Sequence, residues 1–123
     1  MPCACSSGNT TLLYACSGAA NTGCLADQVA RALAKDGAGK MTCLAALGAN
    51  ISGYVESARG ADHNIILDGC PVGCGKRIFD TLAIPFERYV MTDYNVEKGK
   101  TAITGEIIMD VSSAVKASVC NGR

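Results

Sequence analysis

From residue 10 to its end, the sequence alternates short apolar runs with amphipathic segments. The clearest run covers residues 63–68, where Ile65, Ile66 and Leu67 stand together. Apolar runs of this length are typical of strands that are buried on both faces. Strands that alternate with helices favour a parallel sheet with helices on both sides. Since 123 residues is the length of one domain, we expect a single-domain α/β fold.

Four strands are predicted, at residues 10–16, 40–45, 63–68 and 87–92. Helices are predicted at residues 25–36, 51–58 and 71–82, the last with Pro71 at its first position, and a final helix is predicted to start near Gly105. Right-handed crossovers leave few topologies. We expect a three-layer α/β sandwich with a mainly parallel, doubly wound sheet in the order 2-1-3-4. Such a sheet has its ligand crevice at the carboxyl ends of strands one and three.

Charge and hydropathy exclude several classes of protein. Eleven basic residues balance eleven acidic ones, so the chain has no net charge with which to attract nucleic acid or an anionic membrane. No apolar run approaches the roughly 20 residues of a membrane span. The first residues lack the basic and apolar regions of a secretory signal. We therefore expect a cytoplasmic protein with reduced thiols, and neither nucleic acid nor membrane as a partner.

Eight cysteines in this chain are the main indication of function. In a reducing compartment, such richness indicates metal binding or redox chemistry. Four of them, Cys16, Cys43, Cys70 and Cys74, fall at or near the carboxyl ends of three predicted strands, which converge in a parallel sheet. Four thiolates form the ligand set of closed zinc centres. These residues therefore predict a zinc site, and an iron–sulfur cluster is the less favoured alternative.

The neighbours of Cys70 and Cys74 suit such a site. The two cysteines lie about one helical turn apart at a predicted helix start, where backbone N–H groups favour thiolate. Lys76 and Arg77 follow directly and are predicted to offset the negative charge. Asp68 precedes the turn, and its carboxylate is expected to accept hydrogen bonds from backbone amides.

The other residues that can bind a metal are given different roles. Cys3 and Cys5 lie in residues 1–9, which we expect to be a flexible leader before the folded domain of residues 10–123. Cys24 and Cys120 fall within helical patterns and are predicted to be small buried side chains. His63 opens the third strand, at the end of the sheet opposite the four cysteines.

Four short motifs occur in a familiar order: YACSG at residues 14–18, CLA at 43–45, DGCPVGC at 68–74 and TD at 92–93. Together they resemble the DGC-domain family of small bacterial and archaeal proteins, which is named after its Asp-Gly-Cys turn. The resemblance extends from about residue 10 to the last helix. The family is regarded as zinc-binding. The resemblance implies that Cys16, Cys43, Cys70 and Cys74 are metal ligands.

Two other functions stay open. Cys70 and Cys74 can form a reversible disulfide with Cys16 as attacking thiol, which would suit redox chemistry or sulfur transfer, although their spacing is one residue longer than Cys-x-x-Cys. The loop after Cys16 is also similar to the phosphate loop of low-molecular-weight tyrosine phosphatases and related arsenate reductases. Those loops carry an arginine where this chain has Thr22, so oxyanion chemistry lacks its usual cation. We favour a metal-binding protein over an enzyme.

Overall fold

The computed structural model describes residues 9–121, in which a four-stranded sheet lies between two layers of helices. The strands are β1 (Thr11–Ala15), β2 (Lys40–Met41), β3 (His63–Asp68) and β4 (Glu87–Val90). The helices are α1 (Asn21–Lys35), α2 (Leu44–Gly48), α3 (Ser52–Gly60), α4 (Cys74–Leu82) and α5 (Gly105–Asn121), and a 3-10 turn covers Met91–Asp93.

The strand order is β2-β1-β3-β4, and all three pairings are parallel. This confirms the predicted order 2-1-3-4. The two central strands, β1 and β3, have the most continuous apolar runs. Helices cover a central strand on both faces, so its side chains on both faces are apolar. In register, Leu13 of β1 lies between Met41 of β2 and Ile65 of β3.

Each face of the sheet has its own hydrophobic core. Leu13, Ile65 and Leu67 pack on one face against α1 and α5. The helical residues of this core recur every four positions: Leu25, Val29 and Leu33 in α1, and Val111, Val115 and Val119 in α5. Tyr14 and Ile66 point to the opposite face and pack with residues of α2, α3 and α4. The alternation along β1 and β3, with helices packed on both faces, confirms the three-layer sandwich.

The second strand is shorter than predicted, because it stops at Met41 and the chain then turns into α2. Leu44 and Leu47 lie three residues apart and pack on one face of this short helix, in the second core. Cys43 is consequently the residue that precedes α2 and not the end of a strand. A short apolar run does not by itself distinguish a strand from a helix.

The prediction that α4 begins at Pro71 is wrong. The helix begins at Cys74, and Pro71 lies in the preceding turn. Gly73 has a left-handed backbone with φ of 70°, a conformation that interrupts a right-handed helix and that glycine adopts without a steric penalty. The start of α4 is therefore set by Gly73.

Among the helices of residues 9–121, none is both long enough and apolar enough to cross a membrane.

Candidate functional site

An open cavity of about 710 Å³ lies at the carboxyl edge of β1 and β2. Three of the four predicted metal ligands line it: Cys16 directly after β1, Cys43 directly before α2, and Cys74 at the first position of α4. Parallel strands end at one edge of the sheet, and this brings together thiols that are far apart in sequence. The structure thus gathers Cys16, Cys43 and Cys74 around one cavity.

Cys70 is placed differently. It follows β3 in a turn that is closed by a hydrogen bond from the Gly73 amide to the Cys70 carbonyl, at 3.2 Å. Its side chain is not among the residues that line the cavity of the other three thiols. The Nζ of Lys98 donates a hydrogen bond to its Sγ at 3.4 Å. Lys98 could not be identified from the sequence, since 28 residues separate it from Cys70 and no local pattern connects them.

Asn21 holds the loop that carries Lys98. Its amide Nδ2 donates to the carbonyl of Thr101 at 2.8 Å, and its Oδ1 accepts from the Gly99 amide at 2.7 Å. The same Nδ2 lies 3.1 Å from the carbonyl of Glu97. The first residue of α1 therefore holds the backbone of the loop that carries Lys98.

Asp68 links the cysteine turn to the sheet. Its side chain is only 1% exposed. Its Oδ1 accepts from the Gly75 amide at 2.9 Å, and its Oδ2 accepts from Arg88 Nε at 2.7 Å. As predicted, the carboxylate accepts from a backbone amide, here in the first turn of α4. The negative charge of the carboxylate also interacts favourably with the positive end of the α4 dipole.

The two cations expected beside the cysteine turn, Lys76 and Arg77, are joined there by a third, Arg88. Lys76 pairs with Asp80 on the exposed side of α4, and Arg77 donates its Nε to the Val72 carbonyl. Arg88, which the sequence did not indicate, also lies beside the turn. Its Nη2 is so close to Gly73 that a Cβ added at residue 73 would be 2.8 Å away from it. Within the described chain this buried Nη2 has no hydrogen-bond partner.

The rim of the cavity carries a pair of opposite charges. Arg31 Nε donates to Asp27 Oδ2 at 2.8 Å, and Ser17 Oγ donates to Asp27 Oδ1 at 2.9 Å. The hydrogen bond from Arg31 holds the pKa of Asp27 below its ordinary value. Both residues are therefore charged at neutral pH, and together they add no net charge to the rim.

The start of α1 faces protein backbone. The amides of Gly23 and Cys24 donate to the Ala20 carbonyl. A Cβ at Gly69 would lie 2.8 Å from the Gly23 nitrogen, so the turn after β3 packs directly on the first turn of α1. Thr22, at the position of the phosphatase arginine, is buried. This packing is unfavourable for the oxyanion-binding alternative.

The remaining cysteines and His63 lie elsewhere. The prediction that Cys24 is buried is wrong: its side chain is exposed, because it lies off the stripe of α1 that packs on the sheet. Cys120 is partly buried against the first core. Cys3 and Cys5 fall outside residues 9–121. His63 begins β3, with its Nδ1 4.0 Å from Glu87 Oε1.

The donor chemistry at the cavity fits zinc, because Cys16, Cys43 and Cys74 are free thiols and thiolate sulfur is a preferred zinc ligand. Cys70, in the turn before α4, is also a free thiol. The arrangement is not an assembled coordination shell. Residues 9–121 contain no group of three or more histidine, cysteine, aspartate or glutamate side chains placed to hold a metal ion. The cysteines are thus neighbours around a cavity, not yet ligands of one point.

Comparison with known proteins places this architecture in a family. The model of the DGC domain matches residues 12–115, a range that includes the cavity cysteines and Cys70. The chain belongs to the DGC domain family. This DGC domain is similar to the Anaerobic and virulence modulator AnvM of Pseudomonas aeruginosa, with 38% identity over 65 residues. The aligned part covers 53% of this chain and 50% of AnvM, so the chain spans about half the length of that relative. No solved structure matches.

Proposed function

We propose that this DGC domain binds zinc through cysteine thiolates at the carboxyl edge of its sheet. The observation that carries the proposal is that Cys16, Cys43 and Cys74 line one cavity. Cysteine sulfur is a preferred zinc ligand, and each thiolate offsets part of the charge of the ion. Cys70, the fourth ligand expected from the sequence, lies in the turn that leads to Cys74.

The charges around the cysteine turn support this proposal. A zinc ion with three or four thiolates is a negatively charged unit, which nearby cations and hydrogen-bond donors stabilise. Lys98 lies beside Cys70, and the buried Nη2 of Arg88 lies beside Gly73 with no partner in residues 9–121. A buried donor without a partner costs about 1–3 kcal/mol. A sulfur acceptor at the turn would offset that cost.

Zinc binding on this proposal also changes the stability of the domain. The thiols are not assembled around one point, so the ion has to draw the cysteine-bearing turns together. Metal binding to such a site is coupled to local folding. A ligand that binds only the folded chain raises its stability. We therefore expect the unfolding temperature to rise when zinc is added to the reduced protein.

The first test is the metal content of protein that is purified without added metal and kept reduced. We expect about one zinc ion per chain, measured by plasma mass spectrometry, and a colourless solution. A brown chromophore would instead indicate an iron–sulfur centre. If no reduced preparation binds metal, the proposal fails.

Single substitutions test which thiols bind the ion. Cys16→Ser, Cys43→Ser and Cys74→Ser should each weaken zinc binding by roughly a hundredfold or more, because a hydroxyl is a poor replacement for a thiolate ligand. Competition with a chromophoric chelator measures the affinity. Cys24→Ser is the matched control, since Cys24 is a free, exposed thiol that does not line the cavity. An equal loss in the control would contradict this assignment.

One observation favours thiol redox chemistry or sulfur transfer as a second candidate. The ammonium of Lys98 contacts Cys70, and basic side chains are common neighbours of reactive cysteines. This function predicts a metal-free protein in which Cys70 and Cys74 form one readily reduced disulfide, identified by mass mapping of alkylated thiols.

A further inference from the structure

The contact between Lys98 and Cys70 places a primary amine against a thiol that lies outside the cavity of the other three cysteines. Lys98 Nζ is 3.4 Å from Cys70 Sγ, and Cys70 is a free cysteine. We infer that this pair is a modification site, at which a peroxide joins the two side chains through one oxygen atom in an N–O–S bridge. The inference needs no metal and is independent of the proposed zinc site.

The backbone on both sides of Lys98 is held by one residue of α1. Asn21 Nδ2 donates to the Glu97 carbonyl at 3.1 Å, and Asn21 Oδ1 accepts from the Gly99 amide at 2.7 Å. The Glu97 amide also donates to Thr101 Oγ1 at 2.8 Å. The loop therefore presents Lys98 from a backbone that is tied to the start of α1.

Cys70 is held against the same helix start. The preceding residue, Gly69, packs so closely on α1 that a Cβ there would lie 2.8 Å from the Gly23 nitrogen. The Cys70 carbonyl accepts from the Gly73 amide at 3.2 Å, which closes the turn. Because the backbone near each partner is tied to one short stretch of α1, the flexible lysine stem needs only small rotations to bring its amine and the thiol to bonding distance of a shared oxygen.

The pair is accessible to a small oxidant. Lys98 is exposed and Cys70 is partly exposed. A cleft of about 480 Å³ is lined by Pro71, which directly follows Cys70, and by Thr92 and Lys98. Cys74 is a less favourable partner for an oxidised Cys70, because it lines the other cavity, which Cys70 does not line. Peroxide therefore reaches the sulfur from a cleft whose wall carries the amine.

The reaction consumes two molecules of hydrogen peroxide. The first oxidises the thiol of Cys70 to sulfenic acid and is itself reduced to water. The ammonium of Lys98 releases a proton to solvent, and the amine attacks the second peroxide, which gives a hydroxylamine and water. The hydroxylamine oxygen then attacks the sulfenic sulfur and displaces a further water molecule. Sulfur and nitrogen each lose two electrons in all, and each peroxide gains two.

Peptide mapping tests the inference on metal-free protein that is reduced, freed of reductant and treated with hydrogen peroxide. Trypsin does not cleave after a bridged lysine, so residues 60–76 should be found linked to residues 89–100. The linked pair should gain about 14 Da, from one oxygen added and two hydrogens lost. Dithiothreitol should separate the peptides, because it reduces the bridge to amine, thiol and water. A link that survives dithiothreitol is a sulfinamide, with a direct S–N bond, and overturns the inference.

Two lysine variants test the partner of the thiol. Lys98→Met should lose the linked peptides, and peroxide should then leave Cys70 as an oxygen adduct or in a disulfide with Cys74. Lys100→Met is the matched control and should keep the bridge, because Lys100 lies in the same loop but pairs with Glu97. Wild-type protein that yields only a disulfide within residues 60–76, or an unlinked Cys70, would overturn the inference. Neither result bears on zinc binding, which the metal content measures separately.

Discussion

Asp68 is the residue that ties the cysteine turn to the rest of the fold. It ends β3, is almost completely buried, and receives hydrogen bonds from Gly75 in α4 and from Arg88 in β4. A buried carboxylate is tolerated only when it is paired and hydrogen-bonded. Asp68 meets both conditions, and through them it connects three elements at the edge where the thiols lie.

Asp68→Asn should lower the free energy of unfolding of the metal-free domain by roughly 2–4 kcal/mol, because it removes one partner of a buried pair. The amide also presents donors to the guanidinium and to the backbone N–H groups. Urea denaturation measures the loss. Asp80→Asn is the control: Asp80 forms an exposed pair with Lys76 in α4, and its loss should cost less than about 0.5 kcal/mol. Similar losses in both variants would contradict the role given to Asp68.

Individual residues of the site were predicted from the sequence where the signal is local. The ends of predicted strands indicated Cys16, Cys43, Cys70 and Cys74, of which all but Cys70 line the cavity. The Asp-Gly-Cys turn indicated Asp68. Lys98 and Arg88 could not be found in this way. Arg88 lies 20 residues from Asp68, and no spacing rule relates side chains that meet only after strands and loops have packed.

At the scale of elements, the start of α4 is the most closely packed junction near the site. Gly75 lies in its first turn, where a Cβ would be 2.5 Å from Ile66 Cγ2 and 2.9 Å from Asp68 Oδ1. A side chain at residue 75 would therefore push α4 and β3 apart. The absence of a side chain at residue 75 therefore allows α4 to approach β3 and to receive the carboxylate of Asp68.

Gly75→Ala should destabilise the domain by about 1–3 kcal/mol, the usual cost of overpacking. Gly53→Ala is a matched control in α3, because a Cβ there would meet no atom within 4 Å. Alanine in an open helical position is favoured over glycine by roughly 0.5–1 kcal/mol. Thermal unfolding should therefore shift in opposite directions for the two variants. A loss of stability in both would show that the packing at Gly75 is not the cause.

Elements were predicted well where their pattern is long. The periodic stripes of α1 and α5 and the apolar run of β3 predicted these elements correctly. The region of residues 40–48 was misassigned in part, because its short apolar run fits a strand or a helix. Packing of Leu44 and Leu47 in the second core selects the helix.

At the scale of the whole molecule, the sheet separates two cores, and Tyr14 is the largest fully buried side chain of residues 9–121. Its hydroxyl donates to Asn64 Oδ1 at 2.9 Å, and the Asn64 amide donates to the Ala58 carbonyl at 2.8 Å. Its ring contacts Phe79 edge to face, with centroids 4.9 Å apart. Burial raises the pKa of Tyr14 to about 12, because the low-dielectric core disfavours the charged phenolate.

This pKa predicts how stability depends on alkaline pH. Below the ordinary pKa of 10.0, tyrosine is neutral in both the folded and the unfolded chain. Between pH 10 and 12 the unfolded chain releases the proton first, so up to about 2–3 kcal/mol of stability is lost. In Tyr14→Phe the free energy of unfolding should fall less over this range. Tyr54→Phe, at an exposed tyrosine, should follow the wild-type curve in urea titrations. Coincident curves for all three proteins would refute the prediction.

The sequence by itself determined the strand order and the two-sided sheet, because these follow from local periodicity and from the handedness of parallel connections. It also predicted that four thiols converge at one edge of the sheet, and three of them line one cavity. Only the tertiary structure decided that Cys70 lies apart from the cavity thiols. There its sulfur accepts a hydrogen bond from Lys98, whose loop is held by Asn21. Hydrogen bonds between residues so distant in sequence form only when the folded chain brings the partners together, so no local pattern encodes them.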